Sequence, residues 1–224
     1  MFDAVLFDCD GVLLDTEMLA LDLEVNFLKE RNFHYDRLEF AQSFIGMDNI
    51  SMRIKMAQDY FSQNNSAIPP TLLDEMWAAR DDHFKEHLTA IPDAELSLNA
   101  WNRKKAVASS SKIDELKENL SKVGLADIVY PHVYSAQQVE RGKPAPDVFL
   151  FAAKQLNVKP EKCLVIEDSI NGIKAARAAN MTVWGFLGGG HVWPDLKAQL
   201  IEVGASEIVH SHKALSEKLR TLNE

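Results

Sequence analysis

The chain has 224 residues, 46% of them hydrophobic and 25% charged, which is enough apolar material for one large domain or two smaller ones. It carries 33 acidic and 24 basic residues, and the net charge of −9 argues against nucleic acid and membrane surfaces as partners. No apolar run approaches the roughly 18 residues of a membrane-spanning helix, and the first residues lack the basic start of a secretory signal. The two cysteines, Cys9 and Cys163, are too few for a disulfide framework, so we expect a cytoplasmic protein.

The first predicted element is an apolar strand, Ala4 to Phe7, which ends at Asp8-Cys9-Asp10-Gly11. Because a strand repeats every two residues, the side chains of Asp8 and Asp10 lie on one side and that of Cys9 on the other. Two carboxyl groups so close cannot both ionise easily, and a divalent metal or a shared proton would resolve their repulsion. A strand end capped by turn-forming residues explains the same sequence without any site.

Residues 16–87 interrupt the strand pattern and predict a group of helices inserted after the first strand. Three stretches have apolar residues at helical spacing. Their stripes are Met18, Leu21, Val25 and Leu28; then Ile50, Ile54, Ala57 and Phe61; then Leu73, Trp77, Arg80 and Phe84. We therefore divide the chain into a core domain, residues 1–15 and 88–224, and an inserted helical domain, residues 16–87.

After the insert, short apolar runs alternate with amphipathic helices. The runs span 106–108, 133–134, 163–166 and 181–184, and the clearest helices span 114–123 and 147–156. Continuous apolar runs of this length are typical of strands that are buried on both faces of a parallel sheet. The sequence thus predicts an α/β fold with a doubly wound, Rossmann-like parallel sheet.

Polar groups suited to phosphate or metal follow several of these runs. Ser109 and Ser110 begin a stretch of hydroxyls before a helix, and Lys143 lies on a loop stiffened by two prolines. Glu167 and Asp168 end a buried strand, where adjacent acids are costly unless they bind something. Each feature alone has an ordinary explanation as a helix cap or a surface lysine. Together they meet at the carboxyl edge of the sheet, where ligands bind in this fold class.

This combination resembles the haloacid dehalogenase superfamily of phosphotransferases. The likeness covers almost the whole chain, and its motifs in chain order are Asp8-x-Asp10-Gly11, Ser109, Lys143 and Glu167-Asp168. The insert resembles that family's small helical cap, which places the chain near the sugar-phosphate phosphatases and β-phosphoglucomutase.

The resemblance implies a role for each motif residue. Asp8 is the expected nucleophile, which forms an aspartyl-phosphate, and Asp10 is the expected acid–base group for the leaving alcohol and the attacking water. Mg²⁺ would be held by the side chains of Asp8 and Asp168 and the backbone carbonyl of Asp10, with Glu167 as a further candidate. The groups expected to hold the transferring phosphoryl oxygens are Ser109, Ser110 and Lys143.

The same resemblance makes residues 44–49 the substrate-specificity loop of the cap, with Gly46 and Asn49 as candidates and Glu17 at the hinge as a third. β-Phosphoglucomutase relatives carry a basic residue in this loop and a histidine after the hinge. This chain has Asn49 and Met18 to Ala20 there, which favours a phosphatase over a mutase. We expect a monomeric, Mg²⁺-dependent phosphatase of a small phosphorylated metabolite, with a sugar phosphate as the leading substrate class.

Two other functions remain open from the sequence. A sugar-phosphate mutase would have to recognise two phosphate groups. A non-enzymatic phospho-acceptor module would need only an aspartate, neighbouring acids and a lysine at a strand end, and would not use Asp10 or the insert. Outside the motifs, we expect His210 and His212 on a surface segment and the glycines at 188–190 in a mobile turn.

Overall fold

The computed structural model describes residues 1–45, 47 and 49–223. Its centre is a parallel sheet in the order β3-β2-β1-β4-β5-β6. The strands are β1 Ala4–Phe7, β2 Lys104–Ser109, β3 Val133–Ser135, β4 Cys163–Glu167, β5 Thr182–Phe186 and β6 Glu207–Val209. The predicted α/β fold with a doubly wound parallel sheet is confirmed. The strand order changes direction at β1, so the ends of β1 and β4 form the switch point where ligands bind in such sheets.

The helices of the insert lie between β1 and β2. They are α1 Thr16–Lys29, α2 Arg37–Phe44, α3 Asn49–Asn64 and α4 Leu72–His87. The helices of the remaining chain are α5 Ala94–Ala100, α6 Ile113–Lys122, α7 Ala126–Val129, α8 Asp147–Gln155, α9 Ile170–Ala178, α10 Leu196–Glu202 and α11 His212–Asn223. Among the described residues, every helix is too short or too polar to cross a bilayer.

Alternate residues of the strands supply two apolar layers, one on each face of the sheet. Leu6 and Val165 pack with Phe149 of α8 on one face, whereas Phe7 and Ile166 belong to the opposite layer. All these side chains are fully buried. Because both faces are covered, each strand is a continuous apolar run, which is the pattern that made the strands visible in the sequence.

The predicted buried face of α3 was wrong. Ile50, Ile54 and Phe61 are exposed, with Ile50 75% accessible, while Met52 and Met56 face the interior. The interior of the insert is an aromatic cluster centred on residues 33–44, and the flexible methionine side chains fill the space beside it. Both faces of α3 carry apolar residues, so the helical repeat alone could not show which face packs.

His212 was expected at the surface and is instead fully buried. Its Nε2 lies 2.7 Å from the carbonyl oxygen of Val12, and its Nδ1 lies 2.7 Å from Oγ of Ser97. The side chain therefore ties the start of α11 to α5 and to the turn that follows β1.

Candidate active site

The turn after β1 brings the first aspartates against β4. Phe7 pairs with Ile166 in the parallel register, so Asp8 and Glu167 leave neighbouring strands side by side. Gly11 has a φ of +76°, and a Cβ atom at this position would overlap the carboxylate of Asp168. The left-handed backbone and the close approach both require glycine here.

Lys143 supplies the positive charge at the centre of the site. Its Nζ lies 2.6 Å from Oδ1 of Asp8 and 2.8 Å from Oε2 of Glu167, and its side chain is only 4% exposed. Burial acts to lower the pKa of Lys143, but attraction by Asp8 and Glu167 outweighs it and raises the pKa above its ordinary value. The ammonium group therefore stays charged.

Three buried carboxylates surround this single ammonium group. One oxygen from each of Asp8, Glu167 and Asp168 can be chosen so that all three lie within 4.8 Å of one another. Burial and the charge of Glu167 raise the pKa values of Asp8 and Asp168 well above the ordinary range. Since negative groups outnumber the ammonium, a divalent cation with oxygen ligands would remove the excess charge, and the residues fit Mg²⁺.

Glu167 is more fully engaged than the other two acids. Its Oε2 accepts a hydrogen bond from Lys143, and its Oε1 accepts hydrogen bonds from the amide (3.1 Å) and the hydroxyl (2.8 Å) of Ser169. A Cβ atom on Gly172 of α9 would overlap its carboxylate, so the helix packs directly against it. Glu167 thus fixes Lys143 in place.

Asp10 is held by three hydroxyl groups. Its Oδ1 accepts a hydrogen bond from Thr16 (3.0 Å), and its Oδ2 accepts hydrogen bonds from Ser109 (3.0 Å) and Ser111 (2.6 Å). Ser111 was not among the predicted site residues. The sequence did not single it out, because β2 ends at the first of three consecutive serines and the pattern does not show which hydroxyl group turns inward.

A cavity of about 920 Å³ lies between this edge of the sheet and the insert. The predicted site residues that line it are Asp8, Asp10, Glu17, Asn49, Ser110, Lys143 and Asp168. Ser109 and Glu167 are fully buried behind its wall. Gly46 lies outside the described residues.

The sequence was compared with known families and proteins. The profile of the haloacid dehalogenase-like hydrolases matches residues 2–180. The chain belongs to this family. Among relatives, it is 31% identical over 183 residues to the fructose-1-phosphate phosphatase YqaB of Escherichia coli, covering 80% of this chain and 94% of that protein. It is 28% identical over 216 residues to the phosphorylated carbohydrates phosphatase of Thermotoga maritima, covering 96% and 97%.

The chain is also similar to a plant protein and to two solved bacterial structures. The chain is 33% identical over 183 residues to the Arabidopsis thaliana protein SUPPRESSOR OF QUENCHING 1, chloroplastic, which spans 80% of this chain and 17% of that protein. A haloacid dehalogenase-like protein of unknown function from Agrobacterium tumefaciens superposes with a TM-score of 0.88 at 32% identity over the full length of both. A family hydrolase from Deinococcus radiodurans, with bound phosphate and sodium, gives 0.83 at 36% identity over 99% and 96%.

The insert of this haloacid dehalogenase-like hydrolase adds charged side chains to the cavity. Two of them, Arg80 and Glu24, were not predicted as site residues from the sequence. Arg80, assigned above to an apolar stripe, lines the cavity, and its Nη1 lies 3.4 Å from Oε1 of Glu24. Burial raises the pKa of Glu24 to about 7, against the opposing effect of Arg80. Burial likewise raises the pKa of Glu17 to about 8. Arg53, another basic residue of the insert, pairs with Asp74 at the surface.

Proposed function

We propose that this hydrolase removes the phosphoryl group from a small phosphorylated metabolite of the sugar phosphate class, through a phosphoryl intermediate on Asp8. The observation that carries the proposal is the 2.6 Å contact between Lys143 and Asp8 at the wall of the cavity. A carboxylate there can reach a bound phosphate, and the lysine offsets the charge that would otherwise repel it. Phosphoryl transfer depends mostly on such positioning and charge neutralisation.

Mg²⁺ is part of the proposal. Asp8 and Asp168 would hold it through their side chains, and the family resemblance adds the backbone carbonyl of Asp10. Glu167 is already engaged by Lys143 and Ser169, which favours an indirect role for it. When bound, the cation supplies positive charge next to the phosphoryl oxygens.

The protein groups divide the chemistry between them. An oxygen of Asp8 attacks phosphorus, an Asp8–phosphorus bond forms, and the bond to the leaving alcohol oxygen breaks. Asp10 donates a proton to that oxygen and later takes one from the water that attacks the intermediate. The bond from the water oxygen to phosphorus replaces the bond from Asp8, which releases phosphate and restores the Asp8 carboxylate. Lys143 and Ser110 hold the phosphoryl oxygens from the cavity side. Ser109 was expected to share that role, but it lies outside the cavity lining and donates to Asp10, so we assign it to positioning Asp10. General acid–base help of this kind is typically worth about 10²–10⁴ in rate.

The insert would act as a cap that closes over the substrate and selects it. Glu17, Asn49 and Arg80 also line the cavity, where they can contact the hydroxyl groups of a sugar; Gly46 remains a sequence-based candidate. Two relatives are named for fructose 1-phosphate and for phosphorylated carbohydrates, and the Deinococcus structure holds phosphate, all of which supports this substrate class. We also propose a monomer in the cytoplasm. The two free, buried cysteines are consistent with that compartment.

Phosphate release from a panel of phosphorylated metabolites tests the proposal. We expect Mg²⁺-dependent release by the wild type, none by Asp8→Asn, and normal release by Asp127→Asn, a control on an exposed residue of α7. Circular dichroism must show that Asp8→Asn is folded. Turnover by folded Asp8→Asn at the wild-type rate would contradict the proposal.

The same panel separates the other two functions. A mutase would convert the substrate to an isomer when a bisphosphate primer is supplied, without net phosphate release. A phospho-acceptor module would keep its phosphoryl group for minutes without release. Either result would contradict the proposal of a phosphatase and favour the corresponding alternative.

A further inference from the structure

A buried imidazole lies beside the carboxylate cluster, and none of the family motifs contains it. His191 follows the glycines of residues 188–190, in the loop after β5, and its side chain is 1% exposed. Its Nε2 lies 3.0 Å from Oδ2 of Asp168. His191 is outside the lining of the cavity, so it touches the site from behind Asp168.

The position of this imidazole is set by close packing. A Cβ atom on Gly189 would lie 2.8 Å from the carbonyl oxygen of Gly11, and one on Gly190 would lie 2.5 Å from Cγ of Met18. The loop therefore passes between the turn after β1 and the first turn of α1, through gaps that admit only glycine. The residues were expected to form a mobile turn, but this packing holds His191 against Asp168.

The three acids of the cluster differ in their partners. Asp8 and Glu167 each contact the ammonium group of Lys143, whereas Asp168 contacts His191. Neither ring nitrogen of His191 meets hydrogen-bond geometry with a partner among the described residues, so the contact with Oδ2 is close but bent. A buried polar atom without a completed bond calls for an explanation, and hydrogen bonds in active sites are often poorly aligned in the free protein and tighten when ligands bind.

We propose that His191 is a positioning residue that orients the Asp168 carboxylate for a divalent cation. This inference rests on the proposed function, since it assigns Asp168 to the metal. A proton on Nε2 is donated to Oδ2, which stops the carboxylate from rotating and keeps its other oxygen directed at the cation. Groups that orient a metal-binding side chain in this way typically change metal affinity or activity about 10–100-fold when they are removed.

Calorimetric titration of the metal-stripped protein with MgCl₂, without substrate, tests the proposal directly. We expect His191→Phe, which keeps a ring but has no donor, to weaken Mg²⁺ binding about 10–100-fold. His191→Gln places an amide nitrogen near the position of Nε2 and should restore affinity close to that of the wild type. His191→Asn has a shorter reach and should resemble His191→Phe. His132→Phe, a histidine paired with Tyr134 away from the cluster, is the control and should bind as the wild type does.

Kinetics supply the second readout. At saturating Mg²⁺ the substrate KM of the His191 variants should equal the wild-type value, because His191 does not line the cavity. Unchanged Mg²⁺ affinity in His191→Phe, or a glutamine variant as weak as the phenylalanine one, would overturn the assignment. If His191→Phe does not fold, the comparison of glutamine with asparagine decides. Failure of the proposed function would give a different result, because the wild type itself would then not bind Mg²⁺ or not release phosphate.

Discussion

The ammonium group of Lys143 lies between Asp8 and Glu167, and the electrostatic balance of the site depends on it. Without this charge, the three buried acids would repel one another at the wall of the cavity. Burial and the charge of Glu167 raise the pKa of Asp8 well above its ordinary range, and the charge of Lys143 acts against that shift. The residue that we propose to bind phosphate is thus also a residue that holds the site together.

Removing this charge should cost both activity and stability. We predict that Lys143→Ala abolishes phosphate release and lowers the free energy of unfolding by about 3–5 kcal/mol, because it leaves buried charges unpaired. Adding Mg²⁺ should recover part of the stability, since the cation replaces the missing positive charge. Urea unfolding with and without Mg²⁺ measures both effects.

Lys154→Ala, on an exposed position of α8, is the control for that experiment and should unfold like the wild type. A Lys143→Ala protein as stable as this control in the absence of metal would show that the acids do not need the lysine.

Individual site residues could be read from the sequence where they end a buried strand or sit on a stiff loop. Asp8, Asp10, Lys143 and Asp168 were named on that basis, and the structure places them around one cavity, although their chemical roles remain predictions. Ser111, Arg80 and His191 were missed. Each reaches the site by side-chain direction or loop packing between distant segments, which a local pattern does not contain.

The helix α9 sets the position of Glu167, because Gly172 lets its backbone approach the carboxylate. The same helix begins with a cap in which Ser169 Oγ accepts a hydrogen bond from the amide of Gly172 at 3.0 Å. Ser169 also donates to Glu167. One helix N-terminus therefore connects the end of β4 to the lysine.

We predict that Gly172→Ala strongly reduces activity. The added methyl would overlap the Glu167 carboxylate, which is fully buried and already bonded to Lys143 and Ser169, so the acid cannot move aside freely. Displacing Glu167 displaces Lys143 in turn. Measured kcat should fall by more than about tenfold, which is the size of loss expected when a group that positions the substrate is displaced slightly.

Gly124→Ala separates this clash from a general glycine effect. Gly124 has a φ of +76° and nothing within 4 Å of an added Cβ, so its variant should lose about 1 kcal/mol of stability and keep full activity. Equal activity in the two variants would contradict the proposed path from α9 to Lys143.

Among whole elements, the sequence predicted those with a strong apolar pattern. The helices expected at 114–123 and 147–156 correspond to α6 and α8 within one residue. The short strand β6 was missed, because it is an edge strand of three residues that begins with Glu207 and has little apolar pattern. The face of α3 was misassigned because packing, and not periodicity, chooses between two apolar faces.

Across the whole molecule, His212 connects the last helix to the turn beside the site. Burial lowers its pKa to about 4, partly offset by the Val12 carbonyl and the charge of Asp93. Ser97 and the ring of Phe186 also face it. The unfolded chain binds a proton near pH 6.5, which the folded state accepts only near pH 4. This contribution to stability is therefore complete above pH 6.5 and is lost as the pH falls toward 4.

We predict that the wild type loses about 3 kcal/mol more stability than His212→Gln between pH 7 and pH 4, on the basis of about 1.4 kcal/mol for each pH unit between the two pKa values. Glutamine cannot titrate, so the difference isolates the histidine from other acid effects. Chemical denaturation at a series of pH values gives the two curves. Parallel curves would show that His212 is not held neutral by the fold.

The acidic surface of the whole chain also fits the account. With a net charge of −9, the molecule as a whole repels anions, and attraction must be concentrated at the cavity that Lys143 and Arg80 line and where we propose that Mg²⁺ binds. The doubly wound sheet provides that place because all its strands end at one edge. This architecture was predictable from alternating strands and helices, whereas the shape of the cavity was not.

Rapid acid quenching followed by peptide mass spectrometry detects a phosphoryl group on Asp8 directly. During turnover of a reactive substrate with Mg²⁺, we predict a transient phosphoryl group on Asp8 of the wild type. With a substrate whose leaving group needs no proton, such as a nitrophenyl phosphate, the same adduct should accumulate in Asp10→Asn, which lacks the base that activates water. Turnover without any adduct on Asp8, or with the adduct on another residue, would contradict the account.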